Sequence, residues 1–346
     1  LFAAPRVILN EAIAEAQIAP SSVEAAVAAS HDLPWDREDF TVSGAVMAGM
    51  GWERYHVEII SAMAENAKEL IASLGWDGPL AAMSQKRTNL ADYFKETVAV
   101  VTNPAIDRER EQSQFTTRVL VGARPNIVSL RDQSDLLIQL ETPFLTGGFN
   151  ALGDAELMQD IAAENGTMSL ESLLDIFGEK ATILSLSALP DERIEAAIER
   201  IQFAAIEAVA TGTQCLVLDD TVVTEGAHLW IDPLLATAAV DKALRSADTQ
   251  PNLRRRTGIV VRSASLRDLH DMALCISLGA NALLPYAVYA VAIGIAPRGS
   301  QTTPDDEQIR LAMNNTIGAM TKGLQKVTST IGCHELRGYG HSFSSI

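Results

Sequence analysis

Hydrophobic residues are spaced differently in the two parts of the chain. Up to about residue 90 they recur at helical intervals, most clearly along residues 55–74, where they fall on one helical face. Gly75 follows this segment, as is typical of the residue after a helix. The pattern therefore predicts that residues 1–90 form a mostly helical N-terminal portion, packed on the rest of the chain.

Residues 91–346 alternate short apolar runs with amphipathic helices. The runs occupy residues 181–187, 214–219, 257–262 and 281–285 and do not alternate with polar residues. Such runs are typical of parallel strands that helices cover on both faces, and successive strand–helix–strand passages favour right-handed crossovers. We therefore predict an α/β domain with a parallel sheet and flanking helices. About five or six strands are accounted for, fewer than a closed barrel needs, so the predicted fold is a partial or degenerate (β/α) barrel.

Boundary residues place helices between these strands. Residues 190–192, Pro-Asp-Glu, are typical of a helix start, and Gly212 is typical of the corresponding end. Asp232, with a proline after it, predicts the N-cap of the next helix. Ser265 and Asp268 resemble a capping box, which predicts a helix that begins at Ser265.

Charge limits the classes of partner. The chain has 27 basic and 44 acidic residues among its 346, a net charge of −17 at pH 7. A surface of this sign repels nucleic-acid phosphates and anionic lipid headgroups, so we expect neither nucleic acid nor a membrane as a partner. The single basic run, residues 254–256, is interpreted as a solvated loop. The longest apolar run, residues 282–297, is too short to span a bilayer and is interpreted as buried core.

Cysteine usage and the N-terminus bear on the origin of the chain. Cys215, Cys275 and Cys333 are far apart, which is typical of a reduced, cytoplasmic protein without a disulfide framework. The chain begins with Leu1 rather than methionine and shows no signal-peptide pattern. We therefore expect a cytoplasmic fragment of a longer protein.

Several groups of residues have the composition of a functional site, and each also has a structural explanation. The glycine-rich residues 145–153 lack the spacing of a dinucleotide or P-loop motif and are interpreted as a plain loop. His270 is a candidate general base, with a satisfied helix residue as the alternative. A carboxylate-rich cluster after the second strand is a candidate site for a hard cation, with caps and turns as the alternative. This cluster consists of Asp219, Asp220, Glu225, His228 and Asp232.

The C-terminal region offers one more candidate, a zinc site. Cys333, His334 and His341 lie close together, but no paired cysteine spacing accompanies them. None of these groups forms a complete constellation of nucleophile, base and stabilising donors. The residues alone therefore predict no catalytic, cofactor-binding or metal site.

An ordered series of short motifs occupies the N-terminal third of the chain. The motifs are Met63-Ala64, Gly75 with residues 77–80, Asp-Tyr-Phe-Lys at 92–95, and Val-Thr-Asn-Pro-Ala-Ile-Asp at 101–107 with Arg110-Glu111. In this order they resemble the central region of glutamate synthase large subunits. Further matches extend the resemblance over about residues 50–346.

The chain departs from this resemblance at three places. Asp241 and Lys242 stand where the family has a run of histidines, and Asp271 stands where it has a second histidine beside His270. Residues 338–343 replace a Ser-Tyr-Arg-Gly-Ala-Gln stretch. These differences bear on any role of the histidines and not on the family.

The resemblance implies a parent enzyme that forms glutamate from glutamine, 2-oxoglutarate and a reductant. A glutaminase domain would release ammonia, and a domain with FMN and an iron–sulfur cluster would reduce the imine formed with 2-oxoglutarate. The resemblance implies that this chain is the central domain, which connects those two domains, helps to hold the ammonia path and binds no cofactor itself. The electron donor, ferredoxin or a pyridine nucleotide, stays open.

One segment inside the resemblance is assigned structural or interdomain roles. Pro104 fixes the backbone and disfavours a helical conformation at Asn103, which is typical of a turn. Asp107 is placed to cap a following helix, and Arg110, beside Glu111, is placed to pair with a carboxylate on a neighbouring domain.

Two alternatives to this assignment remain. One is a free-standing flavin- or phosphate-binding (β/α) barrel oxidoreductase, which would hold its cofactor at the strand ends. The other is a stand-alone binding module that uses the same fold.

Overall fold

Helices and strands alternate along most of the chain. The computed structural model describes residues 44–68, 88–95, 107–124, 135–148, 154–225, 228–247, 252–295 and 304–340. The helices are α1 (Gly44–Gly49), α2 (Arg54–Asn66), α3 (Arg108–Gln114), α4 (Ala155–Glu164), α5 (Leu170–Phe177), α6 (Ile194–Thr211), α7 (Pro233–Ser246), α8 (Leu269–Ser277), α9 (Tyr286–Ala292), α10 (Asp306–Thr330) and α11 (Leu336–Tyr339). The strands are β1 (Val119–Gly122), β2 (Leu137–Leu140), β3 (Ala181–Ser185), β4 (Ser187–Ala188), β5 (Cys215–Asp219), β6 (Leu229–Trp230), β7 (Gly258–Arg262) and β8 (Ala282–Leu284). Short 3₁₀ helices occupy Leu90–Tyr93, Gly178–Lys180, Thr221–Glu225 and Leu253–Arg255.

A four-stranded parallel sheet forms the centre of the fold. Its strands lie in the order β3-β5-β7-β8, and every residue of β5, β7 and β8 is buried. Helices α6 and α7 pack on each other and on this sheet, while α10 packs against α2, α4, α8 and α9. Burial on both faces explains why the strands are apolar throughout. The predicted α/β class with a parallel sheet and flanking helices is confirmed.

Two further segments continue the sheet beyond β8. Phe144 forms a parallel bridge with Leu283, and Thr146 forms a parallel bridge with Ser169. The Leu145 N–H donates to the Leu283 carbonyl at 2.8 Å, which extends the ladder outward from β8. Six strand positions therefore follow one another, and among the described residues the row does not close on β3. This is the partial barrel that the sequence predicts.

A close backbone approach fixes the amino end of β7. Gly258 lies against the antiparallel pair β1–β2, and a Cβ on Gly258 would meet the backbone nitrogen of Gly122 at 2.7 Å. Real Cβ atoms do not come this close to backbone, so glycine is required at position 258. The requirement places β1 directly beside the start of the central strand.

The predicted helix boundaries are partly correct. Gly212 ends α6 with φ of 125°, and the Asp232 carboxylate caps α7 by accepting from the Leu234 N–H. The predicted capping box is wrong, because α8 begins three residues later than expected. Asp268 is itself the N-cap and accepts from the Asp271 N–H at 3.0 Å. Ser265 instead lies in a buried turn, where its N–H donates to the Ser263 Oγ.

The N-terminal described residues pack on the α/β body through α2. Ile60 and Met63 are buried there, and α2 lies against α9 and α10. The helix ends at Asn66, earlier than the predicted range of 55–74, and Ala67 closes it in the left-handed region with φ of 54°. Residues 69–87 lie outside the described part of the chain.

Arg254 corrects the interpretation of the basic run as a solvated loop. Its side chain is 6% exposed, and its Nε lies 2.6 Å from the Asp241 Oδ1 on α7. The same guanidinium donates to the Thr257 and Gly279 carbonyls at 2.8 and 2.7 Å. Arg254 therefore ties α7 to the amino ends of β7 and β8. A run of three arginines does not reveal this, because the spacing does not show that Arg254 is buried while Arg255 is exposed.

None of the helices in the described part of the chain combines the length and the apolarity that crossing a membrane requires.

The Arg254–Asp241 pair generates a prediction about stability. Arg254→Ala is expected to lower the free energy of unfolding by roughly 2 kcal/mol, because it removes the buried partner of Asp241 and leaves only the more exposed Arg245 beside that carboxylate. Arg54→Ala is the matched control, since Arg54 is 91% exposed and pairs with Glu58 on the surface of α2. Urea unfolding of both variants measures the difference, and an equally small effect of the two substitutions would contradict the prediction.

Candidate functional site at the carboxyl end of the sheet

The carboxyl ends of the central strands bring several charged residues together. Asp219 ends β5 and Arg262 ends β7, and these two residues are direct neighbours in the strand register. Asp220 and Ser263 follow them along the chain, and all four are buried. Ligand sites in parallel α/β folds lie at this end of the sheet, so it is the first place to look for function.

An ion pair occupies the centre of this end. The Arg262 Nη1 lies 3.3 Å from the Asp219 Oδ2, and the Thr221 hydroxyl donates to the same oxygen at 2.8 Å. The Arg262 Nη2 donates to the Gly148 carbonyl, and its guanidinium carbon lies 5.7 Å from the centroid of the Tyr286 ring. With 2% of its surface exposed, the Arg262 side chain fills the space where a ligand would enter.

Asp220 lies beside this pair in a ring of hydrogen-bond donors. The Tyr286 hydroxyl donates to its Oδ1 at 2.8 Å, the Ser263 hydroxyl donates to its Oδ2, and the Ala264 N–H lies 3.1 Å from both oxygens. Burial, assisted by the charge of Asp219, raises the pKa of Asp220 to about 7, although the donors oppose the rise. Asp220 is therefore a carboxyl group that titrates near neutral pH inside the fold.

Two tyrosines complete the packing at this end. Tyr286 and Tyr289 on α9 are fully buried, and the Tyr289 hydroxyl donates to the Leu145 carbonyl at 2.9 Å. Burial raises the pKa of both phenols, so both act as neutral donors. The two rings and Arg262 occupy the carboxyl end with protein side chains. A phosphate placed there would also face Asp219 and Asp220, which repel it.

The glycine-rich loop serves this packing as well. Gly147 and Gly148 adopt φ of 72° and 69°, and the Gly148 N–H donates to the Glu171 Oε1 at 2.5 Å. A carboxylate thus takes the backbone donor that a phosphate-binding loop would offer to an anion. The plain-loop interpretation fits residues 147 and 148, and residues 149–153 lie outside the described part of the chain.

The candidate cation site does not assemble. Asp219 and Asp220 are adjacent, but Asp232 caps α7 and also accepts from the Leu90 N–H at 3.3 Å. The side chain of Glu225 lies outside the described part of the chain. Among the described residues, no three His, Cys, Asp or Glu side chains group as metal ligands do. A helix cap accounts for Asp232, an ion pair for Asp219, and hydrogen bonds from Tyr286, Ser263 and Ala264 for Asp220.

The histidine and cysteine candidates have structural partners. His270 is partly buried on α8, and its Nε2 lies 3.0 Å from the Ala91 carbonyl. His334 stacks on Phe115 with ring centroids 4.6 Å apart, and Cys333 donates to the Glu335 carbonyl. His341 lies outside the described residues. The satisfied-residue alternative therefore accounts for His270, Cys333 and His334.

The cysteines do not fit an iron–sulfur cluster. Cys215 lies on β5 and Cys275 on α8, both buried, and burial raises the pKa of each thiol to about 12. Cluster ligands are thiolates, which these environments oppose. Cys333 lies apart from them beyond α10. The described residues of this chain consequently offer no ligand set for such a cluster.

The loop after β7 holds an ion-pair network that sequence patterns did not reveal. Arg267 binds Asp271 through its Nε at 2.7 Å and its Nη2 at 3.0 Å, and its Nη1 donates to the Gly51 carbonyl at 2.8 Å. The Trp52 indole N–H donates to the Ala264 carbonyl at 2.7 Å. This network fastens residues 51–52 to the carboxyl end of the sheet. The only sequence signal was an arginine four residues before an aspartate, the i,i+4 spacing of a helical pair.

His56 and Asp268 add a second contact between α2 and the same loop. The His56 Nδ1 accepts from the Glu53 N–H at 3.0 Å, which directs its Nε2 toward the Asp268 Oδ2 at 3.7 Å. Burial and the nearby Asp271 raise the pKa of Asp268 to about 6. The start of α2 therefore lies against a carboxyl group whose pKa is raised into the weakly acidic range.

The segment assigned interdomain roles is described in part. Asp107 caps α3, as the sequence predicts, by accepting from the Arg110 N–H at 2.9 Å. The Arg110 side chain is 58% exposed and lies 3.3 Å from the Asp107 carboxylate. Glu111 is buried and accepts from the Ser329 hydroxyl at 2.9 Å. Asn103 and Pro104 lie outside the described residues.

Comparison with known proteins gives one consistent result. A family model described as the glutamate synthase central domain matches residues 46–346. The chain is 33% identical to the chloroplastic ferredoxin-dependent glutamate synthase of Spinacia oleracea over 81% of its own length and 16% of that protein. It is 30% identical to the glutamate synthase [NADPH] large chain of Azospirillum brasilense, over 83% of this chain and 18% of that one. It is 28% identical to the glutamate synthase [NADH] of Schizosaccharomyces pombe, over 85% of this chain and 13% of that protein. The chain thus spans about one sixth of the length of the curated relatives it matches.

Asp220 generates a prediction about pH. A carboxyl whose pKa is raised on folding binds its proton more tightly in the folded state, so its contribution to stability falls as pH rises from about 4 to about 7. Asp220→Asn removes this titration. Across that window, the free energy of unfolding of the variant is therefore expected to fall less steeply with pH than that of wild type. The two slopes are expected to differ by up to about 1.4 kcal/mol per pH unit.

Urea unfolding at several pH values measures this slope. Asp305→Asn is the matched control, because Asp305 is exposed and caps the start of α10. Its backbone N–H donates to the Gln308 side chain, and its Oδ1 accepts from the Gln308 N–H. Parallel pH profiles for wild type and Asp220→Asn would contradict the prediction.

Proposed function

This chain belongs to the glutamate synthase central domain family, and we propose on that basis that it is a non-catalytic connector within a longer glutamate synthase polypeptide. The family match over residues 46–346 is the observation that carries the proposal. The parent reaction converts glutamine, 2-oxoglutarate and a reductant into two molecules of glutamate. The chain would take part in glutamate biosynthesis and ammonia assimilation as one structural component of that enzyme.

The partners we propose are domains of the same polypeptide. A glutaminase domain and an FMN-binding domain would flank this chain, which would hold them in place and help to form the ammonia path between them. The lengths of the relatives support this, because the chain covers 16% of the spinach protein and 18% of the Azospirillum protein. Three scattered free cysteines support a cytoplasmic location.

The packing of the carboxyl end supports a non-catalytic role. General acid–base or nucleophilic catalysis needs a substrate beside the reactive group, and the Asp219, Asp220 and Arg262 side chains are each at most 2% exposed. The same packing opposes a flavin phosphate at this end. We therefore propose that the FMN and the iron–sulfur cluster of the parent enzyme are held outside this chain.

We also propose a division of labour within the chain. Residues 1–90 would form a helical portion packed on an α/β domain of residues 91–346, which is supported by the contacts of α2 with α9 and α10. The exposed Arg110, with Asp107 beside it, would face a neighbouring domain together with Asn103 and Pro104. Glu111 would hold α3 to α10 through Ser329.

The connector role and the flavin-binding alternative predict opposite results when the chain is mixed with FMN. Mixed with excess FMN and then desalted, the purified chain is expected to retain no visible flavin absorption, because Arg262 and the two tyrosines fill the carboxyl end. Free FMN passed through the same column serves as the control. Retention of about one FMN per chain would favour a free-standing barrel oxidoreductase over a connector.

His270 provides a test of the non-catalytic role in the longer polypeptide. His270→Gln keeps a donor for the Ala91 carbonyl, so kcat for glutamine-dependent glutamate formation is expected to stay within about twofold of wild type. Loss of a general base typically costs about 10²–10⁴-fold. A fall of that size, with the thermal unfolding midpoint unchanged, would overturn the assignment.

A further inference from the structure

Large exposed apolar side chains are concentrated at the carboxyl end of the sheet. Ten such residues are exposed in the described part of the chain, and six of them lie on, or directly after, elements at this end. We call these six the carboxyl-end patch. They are Tyr55, Tyr93, Leu189, Ile194, Leu229 and Leu235.

Half of the patch lies where β3 leads into α6 and on the short antiparallel ribbon that β4, which follows β3, forms with β6, which follows β5. Ala188 lies opposite Leu229 in this ribbon, and Leu189 follows Ala188 directly after β4. Leu189 is 56% exposed and Leu229 is 49% exposed. Ile194 begins α6 directly after this ribbon.

The other half lies across the loops that follow β5 and β7. Leu235 is in the first turn of α7, and Tyr55 is in the first turn of α2, next to the contact between His56 and Asp268. Tyr93 is 68% exposed, in a 3₁₀ helix that is anchored at this end by the Leu90–Asp232 and Ala91–His270 hydrogen bonds. The backbone beneath the patch is thus fixed although its side chains face solvent.

Exposed aromatic and aliphatic clusters mark surfaces that another protein covers, and tyrosine is enriched in interface cores. A second copy of the chain is a poor occupant, because each copy carries a net charge of −17 and the copies repel each other. A different protein surface fits the patch better.

The path of the chain indicates which surface that is. Residues Gly51 and Trp52 are fastened to the carboxyl end by Arg267 and by the Ala264 carbonyl, so the segment that links α1 to α2, near the start of the described chain, lies at this end. The last described helix, α11, lies at the opposite end, where the Leu336 N–H donates to the Thr116 carbonyl beside β1. The last described residues of the chain therefore lie at the amino end.

We propose that the carboxyl-end patch is the docking surface for the domain that precedes this chain in the same polypeptide. The inference rests on the proposed function, since it requires a preceding domain. The patch covers apolar side chains of that domain, while the network of Arg267, Asp271 and Trp52 holds the connecting segment at the edge of the contact. The domain that follows the chain docks elsewhere, toward the amino end near α3 and α11.

Hydroxyl-radical footprinting tests the surface. The oxidation rates of Tyr93, Leu189 and Leu229 are compared between the 346-residue chain and the longer polypeptide. Leu311, which is 62% exposed on α10, and Phe203, which is 38% exposed on α6, are internal controls. We expect the patch residues to be oxidised several-fold more slowly in the longer polypeptide, and more strongly protected than the controls. Protection of the patch no greater than that of the controls would overturn the proposal.

Photocross-linking identifies the occupant. With p-benzoylphenylalanine in place of Tyr93 in the longer polypeptide, the cross-linked peptide is expected to come from sequence that precedes this chain. A cross-link to sequence after Ile346, or to a second copy, would overturn the choice of partner.

Enzymatic activity separates this inference from the proposed function. If the longer polypeptide forms glutamate from glutamine but the patch is not protected, the docking surface is wrong and the connector role stands. If the polypeptide lacks that activity, the proposed function fails whatever the footprint shows.

Discussion

A buried guanidinium is costly unless a carboxylate and carbonyl oxygens surround it, and the segment around β7 meets this requirement three times. Arg254 lies before the strand and pairs with Asp241 at 2.6 Å, Arg262 ends the strand and pairs with Asp219 at 3.3 Å, and Arg267 follows it and pairs with Asp271 at 2.7 Å. The central strand is therefore fixed at both ends by ion pairs. Removal of any partner would leave a buried charge.

Each of the three pairs positions a different part of the fold. The Arg254 pair joins α7 to the amino ends of β7 and β8, while the Arg262 pair joins β5, β7 and the Gly148 loop. The Arg267 pair fastens the start of α8 to the Gly51 carbonyl and thereby to the segment before α2. As a consequence, buried protein side chains occupy the carboxyl end of the sheet. An end that usually holds a ligand holds protein side chains in this chain, which supports the proposed connecting role.

The ion pairs also explain two departures from the family pattern. Asp241 and Asp271 stand where related sequences are expected to carry histidines, and both are the carboxylates that Arg254 and Arg267 require. A histidine at either position would offer the arginine no negative charge. Main-chain carbonyls accept the other hydrogen bonds of these two guanidinium groups, from Thr257 and Gly279 for Arg254 and from Gly51 for Arg267.

The sequence by itself determined the class of the fold and the family. Uninterrupted apolar runs predicted the parallel strands, Gly212 and Asp232 marked helix boundaries correctly, and the ordered motifs along residues 51–118 predicted the glutamate synthase resemblance. These signals are local, because strand burial, caps and turns depend on neighbouring residues. The tertiary structure decided which polar residues meet. The sequence predicted a solvated Arg254, but in the fold it pairs with Asp241, which lies 13 residues earlier in the chain. Arg262 pairs with Asp219, which lies 43 residues earlier. The packing of side chains at the carboxyl end depends on such distant pairs. The spacing of residues along the chain does not predict their geometry.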